Sequence, residues 1–301
     1  MDSNQSPGID LHIHSTASDG THTPSEILNR AHTLGLAAIS ITDHDTVAGC
    51  REALDGEIPA GLAFLTGVEI SAEPPPFFAL SGSIHLLGYG IALESPGLSD
   101  MLKRLQDSRL NRNPRIIERL NALGLKITLD EIVSESGSPD QMGRPHIART
   151  MVKKGLVPNF DAAFDVYLGN NRPAYVDKYR APLEEAVDAI RDAGGIAVIA
   201  HPGLYRSQNG LMSDAVMAAF KAAGVDGIEV YYPEHSARQI AHYAALAERH
   251  GLVVTGGTDF HGSMKPEVSL GSGYGDMHVP VTLYFRLLEA MERRAPLAGR
   301  A

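Results

Sequence analysis

The sequence predicts an α/β fold: a largely parallel barrel, or barrel-like domain, interrupted by a helical insertion. Three observations carry that expectation. Seven short β-rich runs alternate with helical patterns, the signature of strand–helix–strand units. The alternation breaks once, over residues 95–180, where the patterns are mostly helical. Ligand-type side chains recur at the ends of the strand patterns, where barrel enzymes carry their sites.

Strand one is expected at 9–14 and a helix at 24–34, with Thr23 as N-cap, Pro24 at N1, Glu26 completing a capping box and Gly35 ending it. Strand two, 37–42, runs into Asp43-His44-Asp45, and a short helix follows at 47–54. Strand three, 63–70, contains Glu69; after a turn at Pro74 to Pro76, strand four, 83–89, contains His85. The insertion reads as helices at 98–123, 129–136, 144–154 and 160–168, with a second capping box from Thr128 to Glu131. The frame resumes with a helix at 182–193, strand five at 196–200 ending in His201-Pro202, a helix at 211–223 and strand six at 226–231. A helix at 236–250 leads to strand seven, 252–255, then Gly256-Gly257-Thr258-Asp259-Phe260-His261, and a last amphipathic helix covers 281–294. The domain division that follows is a polar, disordered tail over 1–8, a barrel over 9–94 and 181–301, and a small helical cap over 95–180.

Composition narrows the class. The chain has 301 residues, 44% of them hydrophobic, enough for a barrel-sized core. A formal charge of −10 argues against a general nucleic-acid coat, which needs a basic surface, but leaves room for a local basic pocket. The lone cysteine, Cys50, excludes an intrachain disulfide and a thiolate metal cluster. With no apolar leader and no run of about 18 apolar residues, a cytoplasmic protein with no membrane role is expected.

The 13 histidines are the compositional oddity. In a strand, alternate residues share a face, so Asp10, His12 and His14 point one way and Leu11 and Ile13 the other. Asp259 and His261 repeat that two-residue spacing. A lone histidine is more often a surface or satisfied core residue, and His32, His242 and His250 in helices and His22 and His278 in turns are read that way. Nine ligand-type residues nevertheless gather at strand ends: His12, His14, Asp19, His44, Glu69, His85, His201, Asp259 and His261. Nitrogen and carboxylate donors without sulfur suit manganese, iron or zinc. Nine are too many for one ion, and Glu69 is well placed to bridge two or three. Divalent ions about 3.5–4 Å apart generate hydroxide near neutral pH and clamp both oxygens of a phosphoryl displacement. Asp10 and Asp43 are candidates for orienting imidazoles from behind.

At Asp10-Leu11-His12-Ile13-His14, Ser18-Asp19-Gly20, Thr42-Asp43-His44-Asp45, Gly67-Val68-Glu69, His85, Ala200-His201-Pro202 and Gly257-Thr258-Asp259-Phe260-His261, the chain resembles the PHP (polymerase and histidinol phosphatase) family of metal-dependent phosphoesterases. One H-x-H is weak evidence, but the ordered set spans almost the whole chain. The resemblance implies a distorted (β/α)7 barrel with a trinuclear centre. His12, His14, Glu69 and Asp259 would hold one ion, Glu69, His85 and His201 a second, and Asp19, His44 and His261 a third, Asp19 standing where some members have histidine. The runs Gly143 to Arg149 and Asn171 to Lys178 are similar to the branch containing nucleoside 3′,5′-bisphosphate phosphatases and a 5′-3′ exoribonuclease, whose helical cap aims basic residues at substrate phosphate. Arg144, His146, Arg172 and Lys178 fit that task by chemistry, with Arg206 behind them.

The expected activity is hydrolysis of a nucleotide phosphomonoester, preferably the 3′-phosphate of a 3′,5′-bisphosphonucleotide, by a metal-bridging hydroxide, with manganese ahead of zinc or iron. Glu69 would bridge, and a metal, an acid such as His201, or a metal-bound water would assist the leaving oxygen. The partners are then a small nucleotide, AMP-like or bisphosphorylated, or short RNA ends. Rival readings are a 5′-3′ exoribonuclease, a histidinol-phosphate phosphatase, a metal amidohydrolase (which often bridges its ions through a modified lysine that no strand end here offers), and a metal-free interaction module. Tyr231 and Tyr232, after strand six, are candidates to stack on a base, with packing the alternative.

Overall fold

In a computed structural model, residues 7–76, 78, 83–136, 142–205 and 211–294 are described. Seven strands form one sheet in sequence order, β1 (Ile9–Ile13), β2 (Ala38–Ile41), β3 (Ala63–Ala72), β4 (Ile84–Tyr89), β5 (Ile196–Ile199), β6 (Gly227–Tyr231) and β7 (Val253–Gly256). All pairings are parallel except those of β4, which runs against both β3 and β5. The sheet curls until its edges meet, where Ile13 bridges Phe260 and His14 N donates to Phe260 O at 2.9 Å. That approach needs Gly257, where a Cβ would lie 2.3 Å from His12 N.

The reversal of β4 corrects the expectation that every ligand sits at a strand's carboxyl end. His85 lies at the amino end of β4, and the antiparallel direction returns it to the same rim, opposite Ser71. β3 also runs on to Ala72, so Glu69 sits inside a strand rather than at its end. The polar start is part of the fold from Gly8, which pairs with Pro280; the rest of the expected tail, residues 1–6, and Arg206 lie outside the described residues.

Around the sheet lie α1 (Pro24–Thr33), α2 (Ala48–Asp55), α7 (Leu183–Asp192), α8 (Asp214–Ala222), α9 (Ala237–His250) and α10 (Val281–Arg294). Both expected capping boxes form, at Thr23–Glu26 and Thr128–Glu131. α8 starts three residues later than its hydrophobic pattern, because Ser213 caps it by accepting from Val216 N.

Between β4 and β5 come α3 (Pro96–Ala122), α4 (Leu129–Ser136), α5 (Arg144–Lys153) and α6 (Phe160–Ala163), the last continuing into a π turn over Phe164–Leu168. These helices own a core: Ile116, Ile117, Leu120, Ile127, Ile132, Ile147, Met151 and Leu168 pack together without a sheet residue. α3 joins the two cores. Its first half places Leu98, Met101, Leu102 and Leu105 against the sheet, and its second half places Ile116, Ile117 and Leu120 in the helical layer. The interval between them buries Arg109, Arg112 and Asn113 instead of apolar residues.

Truncating the helical core removes packed methylenes without touching the sheet. Leu120→Ala is expected to cost about 2–5 kcal/mol in urea unfolding; a loss below 1 kcal/mol would mean that Leu120 does not anchor that layer.

Candidate metal centre

One carboxylate organises the rim. Glu69, in β3, is almost completely buried and faces five imidazoles. Its Oε1 lies 2.9 Å from His85 Nδ1, 3.0 Å from His201 Nε2 and 3.4 Å from His12 Nε2. Its Oε2 lies 2.7 Å from His44 Nδ1 and 3.4 Å from His14 Nε2. Burial opposes its charge, yet the imidazoles of His85, His44 and His12 outweigh that and hold it well below the usual carboxylate range.

Two further carboxylates complete the ring. Asp259 Oδ1 is 3.0 Å from His14 Nε2 and 3.5 Å from His12 Nε2. Asp19 Oδ1 is 3.3 Å from His261 Nε2, and its Oδ2 is 3.8 Å from His44 Nε2. All nine sequence-predicted ligands therefore meet on one rim. Three groups converge tightly enough to hold an ion: His14, Asp19, His44 and His261; His12, His14 and Asp259; and His44, Glu69 and His85. The grouping differs from the expected one in detail. His14 joins the Asp19 group, His44 stands beside Glu69 as well as Asp19, and His201 reaches the cluster through Glu69.

The donors fit metal ions. His12 Nε2, His14 Nε2, Asp19 Oδ1 and Glu69 Oε2 are buried without a well-formed hydrogen bond among the described residues. A buried polar atom left unpartnered costs about 1–3 kcal/mol, and four around one centre are accounted for by cations. Backbone strain points to the same place: Asp45, His201 and Asp259 all adopt positive φ, at 57°, 29° and 53°. Non-glycine residues there are held by their surroundings, and such residues gather at functional sites.

The groups behind the rim include several that the sequence reading missed. Glu229, fully buried in β6, accepts from His12 Nδ1 at 3.0 Å and from His201 N at 2.6 Å, which turns His12 Nε2 toward Glu69 and Asp259. Its one signal in the sequence is a lone acid between Ile228 and Val230 in an apolar strand. Asp259 Oδ2 accepts from Lys265 Nζ at 2.7 Å and Tyr232 Oη at 3.1 Å, leaving Oδ1 to the rim; Tyr232 is thus a buried positioning group and not a base-stacking platform. His261 Nδ1 donates to Asp259 O, which presents its Nε2.

Asp10 and Asp43 do not touch an imidazole as expected. Asp10 accepts from Thr258 N, Thr258 Oγ1, Gly271 N and His12 N, and so ties β1 to the loop after β7. Burial pushes its pKa up to about 6. Asp43 accepts from Ser15 N, Ser15 Oγ and Ser18 Oγ, holding the turn that carries Asp19. Both carboxylates are consumed by backbone and hydroxyl donors that lie nearer than any ring.

A recess opens between this rim and the helical layer, walled by Asp19, His44, Ser71 and His85 on one side and Arg109, Arg112, Arg144 and Lys178 on the other. Lys178 Nζ donates to Asp45 Oδ2 at 3.1 Å and Ser71 Oγ at 2.8 Å, while Arg109 pairs with the same Asp45. Burial, with Arg109 and Arg112 adding to it against the pull of Asp45, draws Lys178 down to about 7. Arg144 lies over the rings of Phe164 and Tyr175 and donates to Leu168 O. Arg112 donates only to the Asn113 amide oxygen among the described residues; burial, then Arg144 and Arg109, lower it to about 9. Of these four cations, Arg109 and Lys178 pair with the buried Asp45, and Arg112 and Arg144 have no carboxylate pair among the described residues. His146, buried near Asp19, accepts from Gly143 N as the cap of α5, and Arg172 is exposed in a turn after the π segment. Arg109 and Arg112, which the sequence reading did not single out, also line the recess, and their i, i+3 spacing on α3 was the available signal.

Comparisons with known proteins agree with this geometry. The family model of the PHP domain matches residues 10–196. A 3′,5′-nucleoside bisphosphate phosphatase from Chromobacterium violaceum is 38% identical, covering 84% of this chain and 87% of that protein. A 5′-3′ exoribonuclease from Haemophilus influenzae is 34% identical over 84% of this chain and 89% of its own length. Among solved structures, a protein assigned as a metal-dependent phosphoesterase from Bifidobacterium adolescentis superposes with a TM-score of 0.83 at 32% identity, covering 98% of this chain and 99% of that one. A Chromobacterium violaceum protein described as an amidohydrolase, with bound sulfate and no metal, gives 0.80 at 34% identity, covering 95% and 96%.

Glu229→Gln keeps the shape behind His12 and removes the charge. It is expected to weaken binding of Mn²⁺ by roughly 10–100-fold in an equilibrium titration; wild-type affinity would show that Glu229 does not orient His12 for a metal.

Proposed function

The chain belongs to the PHP domain family and is a metal-dependent phosphoesterase; from that premise we propose that it removes the 3′-phosphate from nucleoside 3′,5′-bisphosphates. We assign it two or three divalent ions, manganese before zinc or iron, and a cytoplasmic setting. The segment 95–180 acts as a cap over the ions.

One observation supports the substrate class above all: a wall of four cations with a single buried carboxylate among them, facing a histidine-rich rim across a narrow recess. A phosphate dianion is the ligand such a wall lacks. In an acidic chain of net charge −10 the local excess is a device for anions rather than a general property of the surface. The relative from Chromobacterium violaceum, a 3′,5′-nucleoside bisphosphate phosphatase, directs the choice of phosphate ester.

The roles follow from position. The residues assigned to hold ions are His12, His14 and Asp259, then Glu69 with His44, His85 and His201, then Asp19 with His14, His44 and His261. Bound divalent ions supply an activated water near neutral pH and neutralise charge on phosphoryl oxygens. Arg112 and Arg144 offer planar forks to the equatorial oxygens, and Lys178 a point charge held in place by Asp45 and Ser71. Arg109 fixes Asp45, and through it Lys178. His201 faces Glu69 Oε1 through its Nε2 and is assigned to the side of the rim from which the leaving oxygen departs. The cap walls exclude water from charges that act more strongly in a dry site.

A 5′-3′ exoribonuclease acting on short 5′-phosphorylated RNA is the second reading, favoured by the likeness to the Haemophilus influenzae enzyme and by a basic recess that continues along α3. Histidinol phosphate, which carries its own ammonium group, is disfavoured by the cationic wall. Amide hydrolysis is disfavoured because the bridging place belongs to Glu69, with Lys178 and Lys265 both committed to aspartates.

With Mn²⁺ added, phosphate release is expected to be fastest from adenosine 3′,5′-bisphosphate in a panel that also holds 5′-AMP, histidinol phosphate and a 5′-phosphorylated RNA oligomer. Preference for histidinol phosphate, or no product from any nucleotide, would overturn the reading. Arg144→Ala is expected to raise KM for the bisphosphate about tenfold, the loss of one charge-assisted fork, whereas Arg172→Ala leaves it unchanged.

A further inference from the structure

A second recess of about 480 Å³ lies on the other side of Arg112 and Lys178 from the metal rim. These two residues line both spaces, so the recesses are neighbours through a shared cationic wall. The second one runs along α3, where Arg104, Ser108, Asn111 and Arg115 fall at spacings of four, three and four residues and make one helical stripe. Tyr179, in the extended segment facing that stripe, closes the far side.

The phosphate chemistry already assigned does not need this space. A phosphate group fills far less than 480 Å³, a volume within the range of about 300–1,000 Å³ typical of pockets for whole small molecules. Its chemistry is that of a nucleotide. Tyr179 has an exposed ring with the Arg104 guanidinium 5.7 Å from its centre, a pairing on which a base can stack. Arg112 is nine-tenths buried with no carboxylate partner, and Arg115 is exposed with no ion pair among the described residues. The acids nearby are already engaged, Asp177 by Arg180 and Asp107 by Lys103.

We propose that this recess is a nucleotide subsite, in which Tyr179 stacks on a base and Arg115 holds the phosphate of a nucleotide unit joined to the ester at the metal rim, with Arg112, already assigned to that ester, as the wall between the two spaces. The proposal rests on the phosphoesterase reading above and adds a second place for substrate. The unit is the residue that adjoins the reacting nucleotide in a short RNA chain; the same chemistry also exists in the far half of a mononucleotide bisphosphate, and the test separates the two.

Tyr179→Ala and Arg115→Ala are compared with wild type as Mn²⁺-loaded enzymes on three substrates: a 5′-phosphorylated triadenylate, in which the residue adjoining the reacting nucleotide carries its own phosphate, adenosine 3′,5′-bisphosphate, and p-nitrophenyl phosphate, which is too small to leave the rim. The expected result is a KM raised about tenfold for the triadenylate, with the bisphosphate and the aryl phosphate unchanged. A rise for both nucleotides with the aryl phosphate unchanged keeps the subsite and assigns it to the far half of the mononucleotide. Equal KM on all three substrates, or a loss shared by the aryl phosphate, overturns it, since the recess would then be idle or a mere support of the rim. If wild type cleaves the aryl phosphate and neither nucleotide, the nucleotide reading itself fails, a result distinct from unchanged variants of an enzyme that does cleave them.

Discussion

A single buried carboxylate among five imidazoles is the constraint on which the rest depends. Glu69 is almost completely buried, with no lysine or arginine paired to it among the described residues; its neighbours are the rings of His12, His14, His44, His85 and His201. Such an arrangement is expensive without charge to balance it, because desolvation of an ionised group outweighs any one contact. The fold accepts that cost by surrounding the rim with fixed donors and acceptors. Glu229 holds His12, Lys265 and Tyr232 hold Asp259, Ser15 and Ser18 hold Asp43, and Thr258 holds Asp10. The strained backbone at His201 and Asp259 belongs to the same effort. With so many orientations set by partners that do not touch the substrate, ions can enter a site already formed.

α3 determines what the site faces. A helix that packed apolar residues along its full length would merge the sheet core with the helical core. Instead its middle turns interrupt the two, and Gln106, Arg109, Arg112 and Asn113 fill the gap. Gln106 donates to Asp45 O and Arg109 pairs with the Asp45 carboxylate, so the helix is bolted to the residue after His44. The cap and the rim are thereby joined by charge and hydrogen bonds where the substrate must lie, and by apolar packing on either side of it.

Much of this was legible in the sequence because strand geometry is simple. A two-residue period puts His12 with His14 on one face, and the rings do lie 5.3 Å apart at their centroids. The break in strand–helix alternation marked the stretch that builds the helical core. What escaped depends on long-range partners. The direction of β4 is invisible in a run of alternating residues, so the placing of His85 at an amino end could not be read. Glu229 lacks any repeated spacing, and Lys265 lies in an irregular turn. For Arg109 and Arg112, helical period shows that they share a stripe but not what the stripe meets. Arg172 offers the same guanidinium chemistry as Arg144, yet it is Arg144 that is held at the recess, by Phe164, Tyr175 and Leu168 O. Asp10 and Asp43 have the right chemistry to orient imidazoles, and nearer hydroxyl and amide donors take them.

The central claim is that Glu69 gathers the ions. It is tested most directly by anomalous diffraction, at the metal's absorption edge, from crystals of the Mn²⁺-loaded protein. The account expects at least two anomalous peaks flanking the Glu69 carboxylate, one on the side of His12 and Asp259 and another toward His85 and His201. A single ion bound away from Glu69, or ions held by the histidines with the Glu69 carboxylate turned aside, would contradict it.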